Sequence, residues 1–297
     1  MAIGPKAAAS KLKALKRIGR VLYGDLPPAV QLIAMQDGFM THSGSRGNNF
    51  ADAYRVTTSD IRIGFFGGTH LEVGMPHEHR VYYGINNRLM TLFTQAVLPI
   101  KGNEHMSQGW SVVTGAGRGV AMHGPMKCLA EHRVQVSGCK SKCIGIPSGL
   151  TDEPVNESLD WPFSTRPQNN ITLREEMIIA MASDGIVVYP GNKGTLGELF
   201  WTDLINYVSG RVQGNLPLRP VILVDLKDNP EIGRTFNGGS FFSPIKLQWD
   251  NAVRLHLSKS VADSVHFVDA DSPRVEFDIM QILTGHLVET GRLSRME

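Results

Sequence analysis

From residue 61 onward, short apolar runs alternate with longer segments whose apolar positions recur at helical spacing. The runs at 61–66, 110–114, 142–146, 185–189, 220–225 and 264–268 have strand length and are nearly continuous in apolar character. Such runs predict strands buried on both faces. Between them, amphipathic periodicity predicts helices at 79–96, 119–134, 173–183, 195–208 and 245–257, with a last helix at 275–287. Strand–helix alternation of this kind predicts an α/β fold: a doubly wound, Rossmann-like parallel sheet of about six strands, helices on both faces and right-handed crossovers. No internal repeat or low-complexity tract interrupts the pattern.

The first sixty residues follow a different pattern. Residues 6–22 read as a helix carrying Lys6, Lys11, Lys13, Lys16, Arg17 and Arg20. Pro27-Pro28 breaks it, 29–35 forms a short helix, and 43–49 is loop-like. The chain thus divides into an N-terminal helical extension (1–60) and a Rossmann-like domain (61–297), with the extension packed on the domain or on a partner subunit.

Composition narrows the function. The chain has 297 residues, 42% hydrophobic and 20% charged, with net charge +2. That is globular composition with a core of useful size. The near-neutral balance argues against nucleic acid as a main partner. No run reaches the ~18 apolar residues of a membrane helix. The N-terminal segment lacks the apolar stretch and cleavage site of a secretory signal. A surface helix or an arginine-poor transit peptide are its two readings. Three cysteines, an odd number, argue for a reducing, cytoplasmic setting over a disulfide framework.

Doubly wound sheets bind ligands beyond the carboxyl ends of their strands, so the turns there carry the chemistry. The first strand runs into Gly67-Gly68-Thr69-His70, where paired glycines allow close backbone approach to a ligand or simply make a tight turn. The second runs into Thr114-Gly115-Ala116-Gly117-Arg118-Gly119. Its G-x-G-x-G spacing, after the second strand rather than the first, does not fit the dinucleotide fingerprint, so a nicotinamide cofactor is disfavoured. A phosphate or ribose near its amides fits better.

The fourth strand ends in Pro190-Gly191-Asn192-Lys193-Gly194-Thr195-Leu196-Gly197-Glu198. Proline stops the strand, and the glycines open a turn whose amides face a ligand. Thr195 is placed to cap the following helix or touch a phosphate, and the helix N-terminus favours an anion by ~0.3–1 kcal/mol. Glu198 lies one turn into that helix. Beside a phosphate a carboxylate is repelled, so it either has a chemical task or closes a capping box with Thr195.

P-G-x-x-G-T-x-x-E resembles the P-G-G-x-G-T-x-x-E signature of the LOG (LONELY GUY) phosphoribohydrolases, formerly called lysine decarboxylase-like proteins. Asn192 replaces one glycine. The resemblance spans about residues 61–268 and is strongest over 110–201. It looks closest to the bacterial nucleotide 5′-monophosphate nucleosidase branch, through residues 114–119, Pro125-Met126-Lys127 and Pro154-Val155-Asn156-Glu157. The resemblance implies hydrolysis of the N-glycosidic bond of a nucleoside 5′-monophosphate to free base and ribose 5-phosphate. It implies no cofactor and no metal, and a homodimer or higher homo-oligomer. Glu198 would be the catalytic carboxylate and Arg174 its partner. Gly67, Gly68, Thr114, Gly115, Gly117, Arg118, Gly119, Pro190, Gly191, Asn192, Lys193, Gly194 and Thr195 would hold phosphate and sugar. The chemistry suits these residue types, since base loss builds positive charge on the ribose ring beside a carboxylate. A non-catalytic nucleotide-binding or sensor protein using the same pocket is the alternative.

Arg174 stands one residue further from Pro190 than the family spacing, and Glu175 occupies the strict position. One residue is about 100° around a helix. A capping box of Thr172 and Glu175 would place Arg174 in the first turn, reaching the site, with a small bulge before the next strand. Otherwise Arg118 or Arg166 supplies the cation, or none does and the site only binds.

Three further features bear on the chemistry. Cys128, His132, Cys139 and Cys143 form a conceivable metal set, but their spacing matches no standard finger, and reduced structural thiols are the preferred reading. His77 and His79 read as solvated. Residues 147–171 are long for a connection. They either wall the base pocket or contact a second subunit, or form an ordered surface loop with a short extra strand.

Overall fold

The computed structural model describes residues 22–39, 46–68, 76–96, 98–100, 103–119, 121–150, 154–191, 194–202, 206, 218–226, 241–247 and 263–293. The strands are β1 (Ile61–Phe66), β2 (Leu98–Ile100), β3 (Asn103–Gln108), β4 (Trp110–Thr114), β5 (Cys143–Gly145), β6 (Gly185–Val188), β7 (Val221–Asp225) and β8 (Val265–Asp269). Six of them form one parallel sheet in the order β5-β4-β1-β6-β7-β8, while β2 and β3 pair as a separate antiparallel hairpin. Numbered within the sheet alone, that order is 3-2-1-4-5-6, the Rossmann order, whose direction reverses between β1 and β6.

All six sheet strands fall within a residue or so of the runs read from the sequence. The reason is burial: every residue of β1, β4, β5, β6 and β7 is buried, so hydrophobicity alone marks them. The β2–β3 hairpin was not anticipated. Its second strand reads Asn-Glu-His-Met-Ser-Gln and carries no apolar signal.

Helices cover both faces. One face carries Pro76–Gln95, His123–Arg133 and Val275–Glu289 over Ile61, Ile63, Phe65, Trp110, Val112 and Val187. The other carries Pro28–Gly38, Phe50–Val56 and Ile171–Met181 over Phe66, Val113, Ile144, Ile186 and Val188. The N-terminal helices are therefore part of the core: Leu26, Val30, Ile33, Phe50 and Tyr54 are buried in that second layer. Pro28 opens the first of them, where a proline costs no hydrogen bond. The second, which the sequence did not announce, is capped by Asn49, whose side chain accepts from the Asp52 N–H at 2.9 Å. Residues 194–202 and 206 are helical, as are 243–247. The rest of the helices expected at 195–208 and 245–257, and residues 6–21 of the basic helix, lie outside the described residues.

The long connection after β5 shields an edge of the sheet. Asp160 N–H donates to the Cys143 carbonyl (2.9 Å) and Thr165 N–H to the Gly145 carbonyl (3.1 Å). The Asp160 carboxylate receives the Cys143 N–H and is ion-paired with Arg133. This segment covers an otherwise open strand edge. Among the described residues no helix is long and apolar enough to cross a membrane.

Candidate functional site

The carboxyl ends of β1 and β6 lie side by side, and their turns interlock. Tyr189 N–H donates to the Phe66 carbonyl (2.9 Å) and Gly68 N–H to the Pro190 carbonyl (3.0 Å). A Cβ at Gly191 would collide with the Thr195 hydroxyl and stand 2.6 Å from the Gly68 nitrogen. A Cβ at Gly67 would collide with Ala121 and stand 3.1 Å from the Tyr189 Cβ. Only glycines fit these two positions. The structure thus brings Gly67, Gly68, Pro190, Gly191 and Thr195 together at the point where strand order reverses. Gly194 is exposed and opens the helical stretch, and Thr195 is buried. Thr69, His70, Asn192 and Lys193 lie outside the described residues.

The β4 turn forms the neighbouring wall. Thr114, Gly115, Gly117 and Gly119 are buried, and Arg118 is exposed. Thr114 Oγ1 accepts from the Ala116 N–H (2.9 Å), holding Ala116 at φ 63°, a conformation uncommon outside glycine. The Gly119 carbonyl accepts from the N–H groups of Met122 and His123 (2.9 and 2.6 Å), so the helix begins at His123, later than its apolar periodicity suggests. The Ala116 carbonyl accepts from the Asn156 N–H (2.9 Å), which ties the long connection to this turn.

Arg174 lies in the first turn of the helix Ile171–Met181. The cap is not Thr172, as the sequence suggested, but Asn170, whose side chain accepts from the Leu173 N–H at 3.1 Å. Starting the helix two residues earlier aims Arg174 at the carboxyl ends of β4 and β5. Its Nε donates to the Ile146 carbonyl (2.9 Å) and its Nη2 to the Gly115 carbonyl (2.7 Å). Neither rival cation is placed this way. Arg118 pairs with Glu157 at 3.6 Å, both side chains more than half exposed. The Arg166 N–H donates to the Asn48 carbonyl, and the residue is tied to the N-terminal layer.

Glu198 is partly buried. Desolvation pushes its carboxyl up to about 7; the Arg174 charge opposes the rise and the Glu175 charge adds to it. Glu175 itself is raised by burial, with Arg174 again opposing. One guanidinium and two carboxyls thus share a field beside the glycine turns, the arrangement that tunes acid–base groups towards neutral pH. Glu175 and the Ile146 carbonyl were not singled out as site groups from sequence. The raised Glu175 depends on tertiary burial, and a carbonyl has no sequence signature.

Cys128 and Cys143 are buried, and desolvation raises their thiols to about 11 and about 12. Among the described residues no cluster of three or more His, Cys, Asp or Glu side chains is arranged to hold a metal.

No family model matches the chain, and no curated protein matches it. Among solved structures it is similar to the molybdenum cofactor carrier protein of Chlamydomonas reinhardtii, with 18% identity, 76% of this chain and 99% of that chain covered, and a TM-score of 0.41. It is also similar to the structural-genomics target TM1055, with 15% identity, 75% and 98% coverage, and a TM-score of 0.39.

Proposed function

We propose that the protein is a nucleoside 5′-monophosphate phosphoribohydrolase. Water adds to C1′ as the C1′–N bond breaks. The base leaves with a proton, and ribose 5-phosphate is the second product. The reading joins the sequence resemblance around Pro190–Glu198 to one observation that carries it: Glu198, raised to about 7, shares a field with Arg174 beside the paired glycine turns.

The roles follow from charge. Gly191 and the helix N-terminus at Gly194 and Thr195 offer main-chain N–H groups to the 5′-phosphate. On the resemblance Gly67 and Gly68 approach the ribose through their main chain, and the turn 114–119 with Arg174 forms the far wall. Phosphate binding energy positions the sugar. Ionised Glu198 stabilises the positive charge that grows on the ribose ring and orients the attacking water. No residue needs a cofactor for this step. On the same resemblance the protein is a homodimer or higher homo-oligomer, and its three cysteines, an odd number, fit a reducing cytoplasm.

A second reading is a nucleotide-binding protein without turnover. It is favoured by Arg174, whose Nε and Nη2 already donate to main-chain carbonyls. The deciding experiment is chromatography of free bases after incubation with AMP, GMP, IMP, CMP, UMP and isopentenyladenosine monophosphate. Base release that disappears in Glu198→Gln supports the enzyme. No release from any of them, with AMP still raising the melting temperature, moves the protein to the binding class.

A further inference from the structure

Helix Pro76–Gln95 buries Tyr82, Ile85, Leu89 and Phe93 against the sheet, and one polar residue, Asn86, sits fully buried on that same stripe. A buried amide in an apolar layer is costly unless its polar atoms are used. The Tyr189 hydroxyl donates to Asn86 Oδ1 at 2.6 Å. With Oδ1 accepting that bond, Nδ2 is the end turned to the other side. There it presses on the start of helix His123–Arg133: a Cβ at Gly124 would stand 2.8 Å from Nδ2.

Each end of this contact leads to the site. Tyr189 is the residue before Pro190. Its N–H is bonded to Phe66, its Cβ bears on Gly67, and its ring packs on Tyr82 with centroids 4.9 Å apart. Gly124 follows the turn 114–119, and Ala121, two residues beyond Gly119, closes on Gly67 from the other side. Three ligand-facing turns from three strands therefore meet above Tyr189, Asn86 and Gly124.

We propose that Asn86 and Tyr189 form a buried strut that sets the spacing between the Pro190–Gly191 turn and the 115–119 turn. Asn86 is then a positioning residue: it lies beneath the site and acts through the two turns it joins. Its consequence for turnover rests on the phosphoribohydrolase reading, whereas its consequence for the turns does not. A catalytic geometry displaced by even about 1 Å loses rate steeply, so a strut of this kind governs activity beyond its share of stability.

The test uses the full chain and the variants Tyr189→Phe, Asn86→Ala and the double variant, well below their melting temperatures. Amide hydrogen exchange is followed at Gly68, whose N–H bonds Pro190, and at Val112 and Val187 in the core strands. Binding of ribose 5-phosphate is followed by calorimetry. The expected result is exchange at Gly68 faster by on the order of tenfold with Val112 and Val187 unchanged, and a dissociation constant for ribose 5-phosphate raised on the order of tenfold. The double variant should be no worse than the worse single one, because both break the same strut. Unchanged exchange at Gly68 in Tyr189→Phe, whatever its melting temperature, overturns the proposal. If the unmodified protein neither binds ribose 5-phosphate nor releases base, the functional reading falls, and the exchange at Gly68 alone decides the strut.

Discussion

The Arg174 guanidinium is bolted to the Gly115 carbonyl at 2.7 Å, and Gly115 has no room for a side chain because that guanidinium fills it. The two positions are therefore one unit: the glycine is where it is because the arginine is. Gly115→Ala should evict Arg174 from its seat, and the clash should cost about 1–3 kcal/mol of stability. Base release should fall in Gly115→Ala nearly as far as in Arg174→Met, at a temperature where circular dichroism shows both folded. Full activity in Gly115→Ala would remove Arg174 from the catalytic machinery.

Gly191 makes a similar prediction at the Pro190–Gly191 turn. A Cβ there would strike the Thr195 hydroxyl and crowd the Gly68 nitrogen. Gly191→Ala should therefore push the two turns apart and weaken ribose 5-phosphate binding. Thr195→Ala takes away only the hydroxyl and leaves the Thr195 Cβ 2.7 Å and the Gly68 nitrogen 2.6 Å from the new methyl, so the double variant should recover little and stay near the Gly191→Ala single variant. Calorimetric titration with ribose 5-phosphate across the three variants reads this directly. Additive losses would mean that Thr195 and Gly191 act separately.

How much of this was legible in the sequence depends on where each residue's information lies. Five of the six sheet strands, all but β8, are buried at every residue, so Ile61–Phe66 and Trp110–Thr114 read directly as apolar runs. The polar β3 has no such run and was missed. Arg174 was placed in the first helical turn, but through the wrong cap. Asn170 and Thr172 are both capping residue types, and in the structure Asn170 takes the cap. The glycine turns were found from spacing, while their interlocking at Gly67, Gly191 and Ala121 was not, because it joins residues far apart in the chain. The role of Asn86 has no sequence signature, because its partner Tyr189 lies 103 residues away, just beyond β6.

The cysteines give a prediction that needs no substrate. Burial raises the thiols of Cys128 and Cys143 to about 11 and about 12, and Cys143 Sγ donates to the Met126 carbonyl at 3.3 Å. The thiolate is the reactive form, so both should resist iodoacetamide in the folded protein at pH 7.5. Cys139 is only partly buried and should be alkylated first. Mass spectrometry of tryptic peptides checks the order, with complete labelling of all three in denaturant as the control. Early labelling of Cys143 would contradict its burial beneath the Asp160 segment.

Glu198 ties stability to function through pH. Its carboxyl is raised from 4.5 to about 7, first by desolvation, with Arg174 opposing. The folded state therefore holds its proton more tightly than the unfolded chain. The associated stabilisation is fully present below pH 4.5 and is lost as pH rises through 7, an effect of at most about 3 kcal/mol. Glu198→Gln cannot ionise, so it should keep that stabilisation. Urea unfolding should show the variant close to the unmodified protein at pH 4.5 and more stable at pH 8. On the proposed mechanism, in which the ionised carboxylate acts, turnover should run the other way: it should rise through an apparent pKa near 7 and vanish in the variant. Arg174→Met removes the charge that holds Glu198 down, so both the stability curve and any remaining pH–rate profile should move to higher pH. A pH–rate profile unmoved by Arg174→Met would show that the two side chains do not share the field on which the proposed chemistry depends.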